Sequence, residues 1–228
     1  MNIFYLHDDP YLCAQQHCDK HVVKMIIEYA QLLSTAHRMT DGVEYEGRTQ
    51  TGRRVRRWKL SDAADENVIY KASHINHPSA VWARSNDQNY IWLLELWYAL
   101  SYEYEHRYGR EHLTFTKLRD VLNRVPENMT EGEFFRPPPA MPDYCKCADV
   151  IDSYRTYYIN EKARFAKWTN RETPEWFKTS CQDTCSKTPT PTKSGKKQFL
   201  SKSESYFSQK IPTSQQSSSQ QDSSLELA

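Results

Sequence analysis

The stretch spanning residues 14–38, AQQHCDKHVVKMIIEYAQLLSTAHR, decides the fold of this chain. Val22, Val23, Ile26, Ile27, Tyr29, Ala30 and Leu33 recur at three- and four-residue steps, the apolar stripe of a helix with one buried face. Asp8, Asp9 and Pro10 supply start signals ahead of it. On the opposite side His17, His21, Lys24, Glu28 and Gln31 advance by 4, 3, 4 and 3 residues, so one continuous helix would carry five functional groups on one face. Beyond His77 and Pro78, the segment SAVWARSNDQNYIWLLELWYALSYEYEHRYG predicts a short helix and then a long one stopped by Gly109. Trp82, Trp92, Leu93, Leu96, Trp97 and Leu100 are its core candidates.

Residues 112–125 predict a third helix, and Pro126, Pro137, Pro138, Pro139 and Pro142 force an extended wrap after it. Residues 149–168 predict a last helix bearing Tyr154, Tyr157, Tyr158 and Phe165. Residues 40–73 are polar, with Gly42, Gly47 and Gly52, and predict a loop or insertion; only residues 3–6 suggest a short strand. The expected class is mainly α, a compact helical bundle with long irregular connections forming one domain over residues 1–177.

Composition bounds the function. The 228 residues carry 30 basic and 29 acidic side chains, which excludes a polycation. Mean hydropathy is −0.84, yet 13% of residues are aromatic, too many for a chain disordered throughout. The imbalance lies in residues 178–228, where 26 of 51 residues are Ser, Thr or Gln; they predict a disordered, weakly basic tail. Residues 1–177 are then mildly acidic, which argues against a broad phosphate-binding face. No apolar run is long enough for a membrane span, and the opening MNIFYLHDDP has neither a basic nor an apolar signal region. A soluble, intracellular, monomeric protein without a membrane partner is expected. Six irregularly spaced cysteines read as reduced thiols, and neither Cys145-x-Cys147 nor Cys181-x3-Cys185 has paired zinc spacing.

Two chemistries compete on the polar side of the first long helix. His17 and His21, with Cys13 one turn earlier, could grip zinc or another divalent metal, although they lack the glutamate of the HExxH motif. Alternatively, Lys24 and Glu28 supply amine and carboxylate beside a histidine, the combination needed for Schiff-base chemistry at a sugar carbon or for general acid/base work. Asn76, His77 and Pro78 mark a helix start, and His77 with Arg84 could position a substrate, Arg84 by holding a phosphate. Arg53, Arg54, Arg56 and Arg57 with Trp58 form the only concentrated basic run and suit a phosphate backbone with one stacking contact.

The block DKHVVKMIIEYAQLL at residues 19–33, followed by NHPSAVW at residues 76–82, resembles the pyrimidine dimer DNA glycosylases of the endonuclease V type. In the same opening and in its ending at residues 162–177 the chain also resembles a widespread group of phage proteins. The first resemblance implies a DNA N-glycosylase with coupled strand-cleaving lyase activity and no cofactor, acting on a damaged or modified pyrimidine in DNA repair. It further implies that the nucleophile is the α-amine of the first residue, here Met1 or, after processing, Asn2. Glu28 matches the motif glutamate, and Lys24 is the fallback amine. His17 and His21 would line the same centre, with Asn76, His77 and Arg84 positioning DNA. The phage likeness implies work in the host cytoplasm. A metal-dependent modification protein and a noncatalytic nucleic-acid adaptor are the alternatives.

Overall fold

A computed structural model describes residues 1–184, with side chains through Thr179. Eight α-helices and one two-stranded hairpin are the elements among them, so the mainly helical class stands. Residues 1–6 run without regular structure, and Ile3, Phe4, Tyr5 and Leu6 are buried. The strand suggested there does not form. α1 (Pro10–Gln16) starts on Asp9, whose carboxylate accepts the Leu12 amide, with Pro10 in the first turn.

α2 (Asp19–Asp41) is the central helix and begins five residues later than its sequence pattern predicts. His17 and Cys18 are extended, with ψ of 133° and 160°. The break is held by groups distant in sequence: the Asp19 amide donates to Lys167 O, and the last carbonyls of α1 accept from Arg107 (Gln15 O) and Trp168 (Gln16 O). These bonds satisfy helix-end groups that would otherwise be orphaned.

Residues 40–73, expected as a loop, instead fold into β1 (Val43–Arg48), β2 (Arg54–Lys59) and α3 (Ala63–Val68). The strands are largely exposed, and apolar alternation is confined to Val43-Glu44-Tyr45-Glu46, too short a run to advertise the hairpin. Arg38, buried at the end of α2, anchors this excursion by donating to Tyr70 O, Trp58 O, Ile69 O, Glu66 O and the Glu66 carboxylate.

α4 (Pro78–Ala83) and α5 (Asp87–Tyr108) follow, and Gly109 closes α5 at φ 67°, the left-handed conformation that favours glycine. α5 packs against α1 and α2, and α6 (Leu113–Leu122) covers α2 from the other side. Trp82, Leu93, Leu96, Trp97 and Leu100 are buried in the main core, as the apolar pattern requires, and the Trp97 indole donates to Ile26 O. The proline-rich stretch is extended up to a short 3-10 turn at Asp143–Cys145.

The last expected helix is shorter than predicted. α7 (Val150–Tyr157) passes into a π turn, Tyr158–Lys162. A further helix, α8 (Glu175–Thr184), crosses the point at which the sequence predicts the tail to begin. The remainder of that tail, with Cys185, lies outside the described residues. Cys145 is buried and Cys147 exposed. No helix among the described residues is long and apolar enough to cross a membrane.

Candidate active site at the N-terminal amine

The N-terminal segment is anchored through its backbone and through Asn2. The Phe4 amide donates to the Tyr29 hydroxyl at 3.1 Å, the Leu6 amide to Cys13 Sγ at 3.4 Å, and Asn2 Nδ2 to Ala140 O at 2.5 Å. Burial of Ile3 and Tyr5 adds about 2 kcal/mol per side chain to this anchoring. Its result is that the Met1 α-amine stands 3.5 Å from Glu28 Oε2 on α2. Glu28 Oε1 in turn pairs with Lys24 Nζ at 2.9 Å. Glu28 is 15% exposed and Lys24 67%, so the carboxylate is sheltered while one of its two cations reaches into water.

His77 joins this pair from the start of α4. Its Nδ1 accepts the Ser79 amide at 3.2 Å, capping the helix. An amide can only donate, so the neutral ring carries its proton on Nε2. Burial lowers the pKa of His77, the positive Met1 ammonium and His74 lower it further, and Glu28 opposes them. His77 thus lies in the electrostatic field of both members of the amine–carboxylate pair. His77 is thus at once the cap of α4 and a neighbour of the amine–carboxylate pair. Asn76 is exposed beside it.

His17 and His21 are placed differently from expectation. They do not share a solvent-facing stripe with Lys24 and Glu28, because the chain breaks between them and both rings point into the core. His17 Nδ1 donates to Cys13 O at 2.8 Å, so Nε2 accepts from the Tyr29 hydroxyl at 2.9 Å. Burial depresses its pKa to about 4, the Cys13 carbonyl only partly opposing. His21 packs 4.2 Å from the Phe4 ring centroid and bonds the Tyr158 hydroxyl at 2.5 Å; burial holds its pKa well below the usual histidine value. Both are neutral struts of the core.

The alternative metal set also fails to converge. Cys13 Sγ donates to Phe4 O at 3.2 Å and accepts from Leu6, and burial raises its pKa to about 12, so it stays a thiol. Both nitrogens of His17 and the sulfur of Cys13 are already hydrogen-bonded. Among the described residues no group of three or more His, Cys, Asp or Glu side chains is placed to hold a metal ion.

Arg84 sits just past the far end of α4, roughly 10 Å along the helix axis from His77. Its Nη1 is buried without a hydrogen-bond partner, and burial lowers its pKa. Arg84 therefore stands at the opposite end of α4 from the amine–carboxylate pair and is not brought together with it.

The basic run is split by the hairpin rather than pooled. Arg54 pairs with Glu46 at 3.3 Å and Arg56 with Glu44 at 3.5 Å. Trp58 is 7% exposed, with Arg56 5.5 Å from its ring, so it serves as the anchor of the hairpin and offers no open stacking face. Arg53 and Arg57 remain.

Asn2, read in the sequence only as a possible processed terminus, and Tyr29, read only as a core residue, hold the N-terminal segment, while Tyr158 holds His21. Tyr29 reads as one more apolar residue of its helix, and no local signal links it to His17 or Phe4. Comparison with family models, curated proteins and solved structures finds no match to this chain.

Proposed function

We propose that this chain is a DNA N-glycosylase with coupled lyase activity, acting on a damaged or modified pyrimidine through the Met1 α-amine assisted by Glu28. The observation that carries this reading is the 3.5 Å contact between that amine and the sheltered Glu28 carboxylate. A terminal amine suits the chemistry because its ordinary pKa, about 7.7 to 8.0, leaves a useful neutral fraction near pH 7. The likeness of residues 19–33 and 76–82 to pyrimidine dimer glycosylases supplies the substrate class.

The neutral amine forms a bond to sugar C1′ as the glycosidic bond breaks, and the base departs with that electron pair and a proton. Water supplies that proton, and His77, neutral with its proton on Nε2, can donate a hydrogen bond to the departing base. The new C–N nitrogen loses a proton, the ring oxygen leaves C1′ and takes one up, and a protonated imine results. Its positive charge faces Glu28, which stabilises it. Removal of a C2′ proton then expels the 3′ phosphate and cuts the strand, after which water hydrolyses the imine and restores the amine.

Borohydride trapping tests this reading, using oligodeoxynucleotides that carry an abasic site or a pyrimidine dimer. Intact protein should form a covalent adduct whose mass maps to the first residue, and protein acetylated at its α-amine should form none. Glu28→Gln should slow trapping by about 10²–10⁴-fold. Absence of trapping on both substrates sinks the proposal and leaves a noncatalytic nucleic-acid adaptor, a reading the exposed hairpin would favour.

A further inference from the structure

The hairpin has two unlike faces. Its antiparallel register pairs Glu44 with Trp58, Glu46 with Arg56 and Arg48 with Arg54, which puts these six side chains on one face. Val43 with Lys59, Tyr45 with Arg57 and Gly47 with Val55 form the other. On the first face Glu46 and Glu44 neutralise Arg54 and Arg56. The second face has no carboxylate among its six residues. It presents Arg57 and Lys59 beside Tyr45, which is 47% exposed, and an exposed Val43.

Gly47 shapes this second face. A Cβ there would meet Arg57 Cγ at 2.9 Å and Tyr45 Cε2 at 3.5 Å, so the arginine stem and the tyrosine ring both lie close over the glycine. Lys59, at the base of the hairpin, is partly answered by Glu66. Burial disfavours the Glu66 anion, but the Leu60 amide and Arg38 outweigh it and, with Lys59, hold its carboxyl below the usual range. Arg57 is half-buried and has no carboxylate in salt-bridge contact, and exposed Arg53 follows the turn.

We propose that this face, with Tyr45 and Arg57 seated over Gly47 and flanked by Arg53 and Lys59, docks single-stranded nucleic acid. Tyr45 stacks on an unpaired base while the cations contact phosphates. Charge complementarity is local: residues 1–177 are net acidic, whereas this face carries two cations and no carboxylate, and the opposite face keeps one unneutralised cation, Arg48. An unpaired strand fits better than a duplex because bases stacked inside a duplex offer Tyr45 no ring face. The identity of the polymer rests on the function proposed above, but the hairpin is tested by binding and not by catalysis.

The test is fluorescence anisotropy of the full chain with labelled oligothymidylate across a salt series. Arg57→Gln should weaken binding and lower the slope of log K against log salt by about 0.7, the value for one lost phosphate contact on a single strand. Tyr45→Ser should weaken binding about tenfold with the slope unchanged. Gly47→Ala, which keeps every charge but displaces Arg57, should also weaken binding and lower the slope in the same direction as Arg57→Gln. The charge-neutral double variant Glu46→Gln/Arg54→Gln, on the opposite face, should stay within twofold of the parent. Equal losses on both faces, no binding of oligothymidylate, or preference for phosphatidylserine vesicles would each overturn the proposal. Unchanged melting temperatures confirm that the variants fold. Trapping without the face-specific loss removes the hairpin proposal alone, and face-specific binding without trapping removes the glycosylase reading alone.

Discussion

Tyr29 Oη donates to His17 Nε2 across 2.9 Å, and the same oxygen accepts the Phe4 amide at 3.1 Å. One hydroxyl therefore ties α2 both to the end of α1 and to the segment that presents the Met1 amine. This joint converts core packing into placement of the Met1 amine, which has no side-chain lever of its own.

Tyr29→Phe should therefore act at two levels. It leaves a buried amide and a buried imidazole nitrogen without partners, at a cost of about 1–3 kcal/mol each. Urea unfolding should show the lost stability, and trapping under conditions where the protein remains folded should slow as the amine loses its fixed distance from Glu28. Unchanged values of both would show that the hydroxyl is dispensable.

Lys24→Ala separates the two amines near Glu28. The Lys24 side chain is 67% exposed and lacks the burial on which a nucleophilic role would depend. Removing it should change stability by no more than about 0.5 kcal/mol and leave borohydride trapping in place. Loss of the covalent adduct would transfer the nucleophile to Lys24.

Acid should destabilise this protein early. Burial lowers the pKa of His17, His37 and His112 from 6.5 to about 4. The unfolded chain therefore binds more protons than the folded one between these values. Their stabilisation is complete above pH 6.5 and is lost as the pH falls toward 4, each contributing a slope of up to about 1.4 kcal/mol per pH unit. Melting temperature should fall steeply over this window, and His17→Gln should flatten the fall even if it lowers stability at pH 7. A flat profile would mean that these rings are protonated in the fold.

Glu103 should matter far more than the glutamates of the hairpin. It accepts from Arg107 at 2.7 Å and from Arg171 at 2.9 Å, and Arg107 also reaches Asp19 at 2.9 Å. Glu103→Gln leaves a buried guanidinium poorly compensated, a loss of about 3–5 kcal/mol. Glu46→Gln, an exposed pair, should cost no more than about 1 kcal/mol. Chemical denaturation of both variants checks the ratio, and equal losses would refute the distinction.

Much of the helical framework was legible because its signals are local. Pro78 starts α4, Gly109 stops α5, and the tryptophans of α5 mark the core, whereas Asp9 and Pro10, read as start signals of one long helix, open the separate α1. Lys24 and Glu28 were readable as neighbours from their i, i+4 spacing. The hairpin was missed because apolar alternation lasts only from Val43 to Glu46 in its first strand and breaks at Arg56-Arg57 in its second. α8 was missed because Trp176 and Phe177 precede a stretch otherwise rich in small polar residues.

By itself, the amino-acid order determined a helical chain with an amine and a carboxylate near its start, since periodicity and capping act within a few residues. Tertiary structure alone decided that His17 and His21 are core struts, that the basic run has a neutralised and a cationic face, and that the first residue meets Glu28. These outcomes depend on bonds such as those of Lys167 O to Asp19, Tyr158 to His21 and Ala140 O to Asn2, whose partners are distant in sequence. Burial then decides which of the groups remain free to react, because a ring or thiol enclosed in the core must have its polar atoms bonded internally.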